Sequence, residues 1–381
     1  MQNFASESTS TLADLQVPFV DLKAQYLSIK TDIDQAIASV IEETAFIKGK
    51  YVNAFETAFA ELYGVKHCIG VANGTDALYI ALKMMGVGMG DEVITVANSW
   101  ISSSETITQT GARPVFVDVD EYFTMDIQQL EQAITEKTKA IVPVHLTGQM
   151  VAMDQVMALA KKYDLQVLED CAQSHFSAYK GKRAGLFGAA ATFSFYPGKN
   201  LGAYGDAGCI ITNNDELAEK MRIYANHGAL VKHQHVTEGI NSRLDGLQAS
   251  ILCAKLPYIL DWTAARIRCA AIYDELLQDL AEVEIPKVRP QSKHTFHLYR
   301  ILAKDRDGLK ESLKEKNIST AIHYPTPLPF LPAYDYLNAQ AVDFPRVLSN
   351  QSQILSLPIY PELTLAQQEY VVNQIRSFYA Q

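Results

Sequence analysis

Two residues in this sequence are placed to do chemistry. Asp170 ends the apolar run QVLED, and Lys199 follows the run ATFSF after the turn Tyr196-Pro197-Gly198. A carboxylate at the mouth of a buried sheet needs a cationic partner, because burial strips its hydration. That partner is either a structural Arg or the protonated ring nitrogen of a cofactor, as an Asp serves a pyridinium. Lysines are ordinarily solvated surface charges. One held partly desolvated, beside the glycine-rich stretch 200–208, can instead react as an amine and form a Schiff base. Upstream, Asn73-Gly74-Thr75-Asp76 follows another apolar run and opens a helical pattern. Free N–H groups at a helix start, a permissive glycine and a hydroxyl make a cradle for an anion. The plainer reading is an ordinary N-cap, with Thr75 or Asp76 capping.

These residues need elements to hold them. Short apolar, mostly β-branched runs occur at 67–72, 92–97, 114–119, 140–145, 166–169, 191–195 and 208–212. Helical patterns separate most of them, including 51–63, with Phe55, Phe59 and Leu62 on one face, and 153–163. Such alternation predicts a mainly parallel, buried sheet flanked by helices. Ligands of such sheets bind at the carboxyl ends of the strands. The residues just past each run are therefore the candidates: 73–76, 98–100, His145, 170–173 and 196–199. A long helical pattern over 243–280, bent near Pro257, leads into a Pro-richer remainder. The expected organisation is a loose tail over 1–16, a large domain over 17–255 and a smaller α+β domain over 256–381.

Composition narrows the function. With 33 Lys and Arg against 43 Asp and Glu, the net charge of −10 argues against a general nucleic-acid binder. Five cysteines stand singly without a CxxC, which suggests neither a disulfide framework nor a zinc knuckle. Buried thiols in a reducing compartment are the expectation. No apolar run follows a basic start and none approaches the ~18 residues of a membrane span, so a cytoplasmic protein without membrane attachment is expected. Gly86-Val87-Gly88-Met89-Gly90 precedes a strand rather than following one, and Gly198-Lys199-Asn200 lacks the Ser or Thr of a phosphate-binding P-loop. His233 and His235 have no carboxylate or Cys at ligand spacing, so no metal is expected.

Taken together, four motifs are recognisable: NGTDAL, VLEDCAQSH, ATFSFYPGKNLGAYGDAG and NSRLDGLQAS, in that order. The chain resembles the DegT/StrS-type sugar aminotransferases, pyridoxal-phosphate enzymes of the aspartate-aminotransferase fold (fold type I). The likeness runs from VPFVDLKAQY at residue 17 into the C-terminal domain. It implies a role for each matching residue. Lys199 would carry the cofactor as a Schiff base and shuttle the proton between cofactor and substrate carbons. Asp170 would keep the pyridine nitrogen protonated. Gly74, Thr75 and Ser194 would hold the phosphate, and Gln173 would lie beside the ring and its phenolic oxygen. Trp100 would stack on the ring, the alternative being a core tryptophan. Asn241 would reach the phosphate of the neighbouring subunit, so the resemblance implies a homodimer with shared active sites. His175, Arg243 and Tyr324, with Lys182 and Arg183, are candidates for the sugar nucleotide. Packing or a solvated surface remains the alternative for each of these.

The implied reaction converts pyridoxal phosphate to pyridoxamine phosphate with glutamate and then aminates a keto sugar nucleotide. The phrase FYPGKNLGAYGD points to C3 of a dTDP-3-oxo-6-deoxyhexose. The alternatives are C4 of a dTDP- or UDP-4-keto-6-deoxyhexose, or a UDP-linked 3-keto sugar. Dehydratases of this family carry histidine in place of the lysine, so Lys199 argues for transamination. A nicotinamide-dependent oxidoreductase would need GxGxxG after the first strand, which is not here. A dimeric sensor without chemistry would be expected to lack Lys199 or Asp170.

Overall fold

The computed structural model describes residues 15–380; of the tail expected over 1–16, residues 1–14 lie outside the described residues. Seven strands form the main sheet: β1 (His67–Val71), β2 (Glu92–Val96), β3 (Arg113–Val117), β4 (Thr138–Val142), β5 (Gln166–Asp170), β6 (Ala190–Ser194) and β7 (Gly208–Thr212). Their spatial order is β1-β7-β6-β5-β4-β2-β3. The pairs from β6 through β5, β4 and β2 to β3 are parallel, while β7 runs antiparallel to β6 and β1. The sheet is thus mixed and mainly parallel, as expected.

Strand periodicity explains why the runs look continuously apolar. Side chains alternate between faces, and each face meets its own core. Cys68, Ile94, Ile141, Val167 and Ile211 join one cluster. Ile69, Val93, Ala140, Leu168 and Ile210 join the other. Helix α1 (Lys50–Tyr63) lays Phe55, Phe59 and Tyr63 on the first face. Helix α2 (Gly74–Met84) lays Ala77, Leu78 and Ala81 on the second. A sheet covered on both faces leaves its strand ends as the place for a site.

Helix α3 (Ser102–Gln109) follows β2. The long helical pattern resolves into α4 (Gly246–Lys255), a 3-10 turn over Leu256–Tyr258, and α5 (Ile259–Leu277). Pro257 sits in that turn, where a residue without an N–H interrupts the ladder. A second, antiparallel sheet, β8 (Val283–Glu284), β9 (Tyr299–Ala303) and β10 (Ile354–Leu357), packs with α5 and α6 (Leu365–Tyr379) around a third cluster containing Tyr273, Tyr299 and Val371. Val17 is fully buried in that cluster and bridges Ile318. No described helix is long and apolar enough to cross a membrane.

Candidate active site

Asp170 ends β5, Ser194 ends β6, and β2 delivers the segment 98–103; α2 begins beside them. These ends enclose a cavity of about 430 Å³. At one end stands the N-terminus of α2. Asn73, not Thr75 or Asp76, is its cap: its Oδ1 accepts the Asp76 N–H at 2.8 Å. The Thr75 hydroxyl is therefore free to meet Ser102 Oγ at 2.7 Å. A β-carbon on Gly74 would come within 2.7 Å of the Ser194 β-carbon, so a side chain there would push Ser194 out of place. Gly74, Thr75, Ser102 and Ser194 all line this end of the cavity.

Asp170 is 5% exposed and lines the floor. Burial pushes its carboxyl up from the usual range, while the Ala172 N–H at 3.1 Å and the Ser103 hydroxyl at 2.9 Å pull it back toward the charged form. Ser99 Oγ supports Ser103 Oγ at 2.7 Å. The preceding residue, Glu169, points to the other face of β5, as strand alternation requires. There it accepts from His145 Nε2 at 3.0 Å and from the N–H groups of Gly185, Phe187 and Gly188. Val151 N–H donates to His145 Nδ1 at 3.3 Å, so both ring nitrogens of His145 are engaged behind the site.

Lys199 is half-buried and lines the same cavity. Burial pushes its ammonium down to about 8, and the Asp170 charge opposes that shift. Among the described residues neither group forms an ion pair within 4.0 Å. Gln173 accepts from the Thr147 N–H at 2.8 Å and donates to the Tyr324 hydroxyl at 3.0 Å. The Trp100 ring lies 5.9 Å from that of Tyr324 and is 59% exposed, so it is not a core tryptophan.

The structure thus brings together Gly74, Thr75, Trp100, Asp170, Gln173, Ser194, Lys199 and Tyr324. It does not bring the other three candidates to this cavity. His175 is fully buried, with its ring 5.4 Å from Phe193 and 5.7 Å from Phe195. Burial pushes it down to about 3, and neither nitrogen has a partner among the described residues. Asn241 and Arg243 lie on a segment outside the cavity lining, bridged through Asn241 to Asn226. Of the diphosphate candidates, Lys182 is exposed and Arg183 donates to the Leu62 carbonyl. Ser99 falls within the candidate positions 98–100, but the sequence did not single out Ser102 and Ser103. The signal was NSWISSS directly after β2, a run of hydroxyls at a strand's carboxyl end.

The donor set fits pyridoxal phosphate. An open helix N-terminus with hydroxyls suits a phosphate, a buried carboxylate suits a pyridinium, and a lysine with a depressed pKa suits an aldehyde carbon. Ser103→Ala should weaken one hold on the charged Asp170. Losing a hydrogen bond to the charged form raises the pKa. The acid limb of pyridoxal-phosphate binding to cofactor-free protein should therefore move up by about one pH unit, as read from binding titrations between pH 4 and 8.

The family model described as the DegT/DnrJ/EryC1/StrS aminotransferase family matches residues 27–376. The chain belongs to that family. Enzymes of the DegT/DnrJ/EryC1/StrS family use pyridoxal phosphate, and this member is a pyridoxal-phosphate-dependent aminotransferase of the aspartate-aminotransferase fold. It is 46% identical to a "Pleiotropic regulatory protein" from Geobacillus stearothermophilus, over 96% of this chain and 99% of that one. It is 42% identical to a dTDP-3-amino-3,6-dideoxy-alpha-D-galactopyranose transaminase from Aneurinibacillus thermoaerophilus, over 95% and 99%. The crystal structure of S. venezuelae DesV in complex with a ketimine intermediate superposes with a TM-score of 0.93 at 39% identity, covering 96% of this chain and 99% of that one.

Proposed function

We propose that this aminotransferase moves an amino group from glutamate to C3 of a dTDP-3-oxo-6-deoxyhexose, as a step in amino-deoxysugar and surface-polysaccharide synthesis. The observation that carries the chemistry is that Lys199 and Asp170 share one cavity, with the α2 N-terminus at its end. The relatives support the substrate: a transaminase named for a dTDP-3-amino sugar is 42% identical over nearly the whole chain. C4 amination of a 4-keto-6-deoxyhexose and amination of a UDP-linked 3-keto sugar are the competing regiochemical and nucleotide outcomes.

Pyridoxal phosphate, when bound, supplies an aldehyde carbon and an electron-withdrawing ring. The α2 N-terminus and the hydroxyls of Thr75, Ser102 and Ser194 bind the phosphate. Asp170, steadied by Ser103 and the Ala172 N–H, keeps a proton on the ring nitrogen. Lys199 Nζ, depressed toward 8, is partly unprotonated at neutral pH and removes the proton from the donor's α-carbon. In the second half-reaction the same Nζ returns a proton to the sugar carbon. Trp100 and Tyr324 also wall the cavity, and Gln173 donates to the Tyr324 hydroxyl.

A homodimer with shared sites also fits. Asn241 and Arg243 lie outside the lining of their own cavity, and the chain exposes apolar side chains at Ile47 (60% exposed), Val231 (57%) and Val236 (75%). The Ile47–Asp245 bridge ties the first of these to the Asn241 segment. Covering such side chains is what a second copy would do. Dividing the chain at 256 places the cavity between two units, since His323 and Tyr324 line it with Lys199. The free cysteines suit a reducing, cytoplasmic setting. The regulatory name of the 46% identical relative favours a second reading, a sensor. Against it, this chain keeps a buried carboxylate and a depressed lysine facing one cavity, groups a sensor does not need.

The test is a single turnover. Protein in the amine form, freed of glutamate, is offered dTDP-3-keto-6-deoxyhexose, its 4-keto isomer or a UDP-linked 3-keto sugar. Return of the visible aldehyde-form band with the first is expected. Return with the 4-keto sugar alone would overturn the C3 assignment.

A further inference from the structure

Lys255, the last residue of α4, is fully buried and lies outside the active-site cavity. Its Nζ donates to the Gly202 carbonyl at 2.7 Å and stands 4.1 Å from the centre of the Tyr204 ring. Glu362 is the acidic group that faces it, with no ion pair within 4.0 Å among the described residues. Burying an amine without a carboxylate is unfavourable, so the question is what this one holds.

It holds the base of the loop that carries Lys199. That loop leaves β6 at Phe195 and closes at Ala203, whose N–H donates to the Phe195 carbonyl at 2.8 Å. Inside it the Lys199 N–H donates to the Tyr196 carbonyl at 2.8 Å. A β-carbon on Gly202 would fall 2.2 Å from the Pro197 carbonyl oxygen, so the turn closes backbone on backbone. Two tethers reach this base from one face of α4: Gln248 Oε1 accepts the Tyr204 N–H at 2.8 Å, and Lys255 grips Gly202. They are seven residues apart, two helical turns on the same face. The opposite flank is held by Asn200, which donates to the Thr295 carbonyl at 3.3 Å.

We infer that Lys255 is a positioning residue for Lys199, fixing through the Gly202 carbonyl the loop that keeps the reacting amine inside the cavity. The inference rests on the reading of Lys199 as the residue that takes the cofactor. Methionine at 255 fills a similar volume and donates no hydrogen bond. The loop base is then free to open, water reaches the Lys199 amine, and its charged form is favoured. The other titratable groups facing Lys199 are Asp170, His175, His297 and His323, none of which the substitution alters.

The readout is the pH dependence of the rate at which free pyridoxal phosphate links covalently to cofactor-free protein. In the wild type this rate is expected to rise through a midpoint near pH 8. In Lys255→Met the midpoint is expected about one unit higher, with linkage at pH 7 about tenfold slower. A lower melting temperature with an unmoved midpoint would make Lys255 a packing residue and overturn the inference. Lys255→Gln, one bond shorter, serves where the methionine variant does not fold, with the same shift expected and the same contrary result. Failure of both to fold would also overturn it. If Lys199→Ala links the cofactor with the wild-type midpoint, the reading of Lys199 itself has failed, which is a distinguishable result.

Discussion

Lys199→Ala is expected to lower turnover by about 10⁴-fold or more, because one side chain serves as both covalent anchor and proton carrier. The fold should survive. Lys199 is only half-buried, and no described side chain bonds to its amine. A melting temperature within a few degrees of wild type, together with loss of turnover, separates chemistry from stability. The variant should still bind pyridoxal phosphate without the linkage, since the α2 N-terminus, Thr75 and Ser194 remain. An active Lys199→Ala would remove the basis of the mechanism.

Asp170→Asn should reduce turnover by about 10³-fold, the scale of losing one aligned electrostatic group in a buried site. The amide keeps the shape, its oxygen can still accept from the Ala172 N–H and its NH2 can donate to the Ser103 hydroxyl oxygen, but it carries no charge to hold a proton on the ring nitrogen. Stability should move the other way. Burial raises the folded-state pKa of Asp170 above its ordinary value. The carboxyl therefore favours folding only at acid pH, and that contribution is lost as pH rises through the folded-state value. At pH 7 the cofactor-free Asn variant should melt at or above the wild-type temperature. Full kcat in this variant, measured with saturating cofactor, would exclude the assigned role.

Much of this was readable along the chain. The run GCIIT and the pattern 153–163 coincide with β7 and with the helix Met153–Tyr163 at both ends. Period-2 runs buried on both faces and a 3.6-period stripe such as Phe55 and Phe59 are strong local signals. Two helices escaped notice, Leu22–Ser28 and Lys30–Glu42. The second buries only Ile33 and Val40, too thin a stripe to stand out. Ser103 escaped for a different reason. Its role exists only through Asp170, 67 residues further along the chain, and no local spacing encodes that hydrogen bond. His175 shows the converse. It sits two residues past Gln173 in one motif, yet the chain turns inward there and its ring joins Phe193 and Phe195 in the core. Residue type and proximity in sequence suggested contact, and tertiary packing assigned a buried, neutral imidazole.

The central claim is that this chain takes an amino group through Lys199. The most direct measurement adds glutamate to the cofactor-loaded protein with no sugar present and follows the visible band and released 2-oxoglutarate together. The account predicts loss of the aldehyde-form band with an equimolar yield of 2-oxoglutarate in the wild type, and neither change in Lys199→Ala. An unchanged band with every amino acid offered, or equal 2-oxoglutarate from Lys199→Ala, would contradict it.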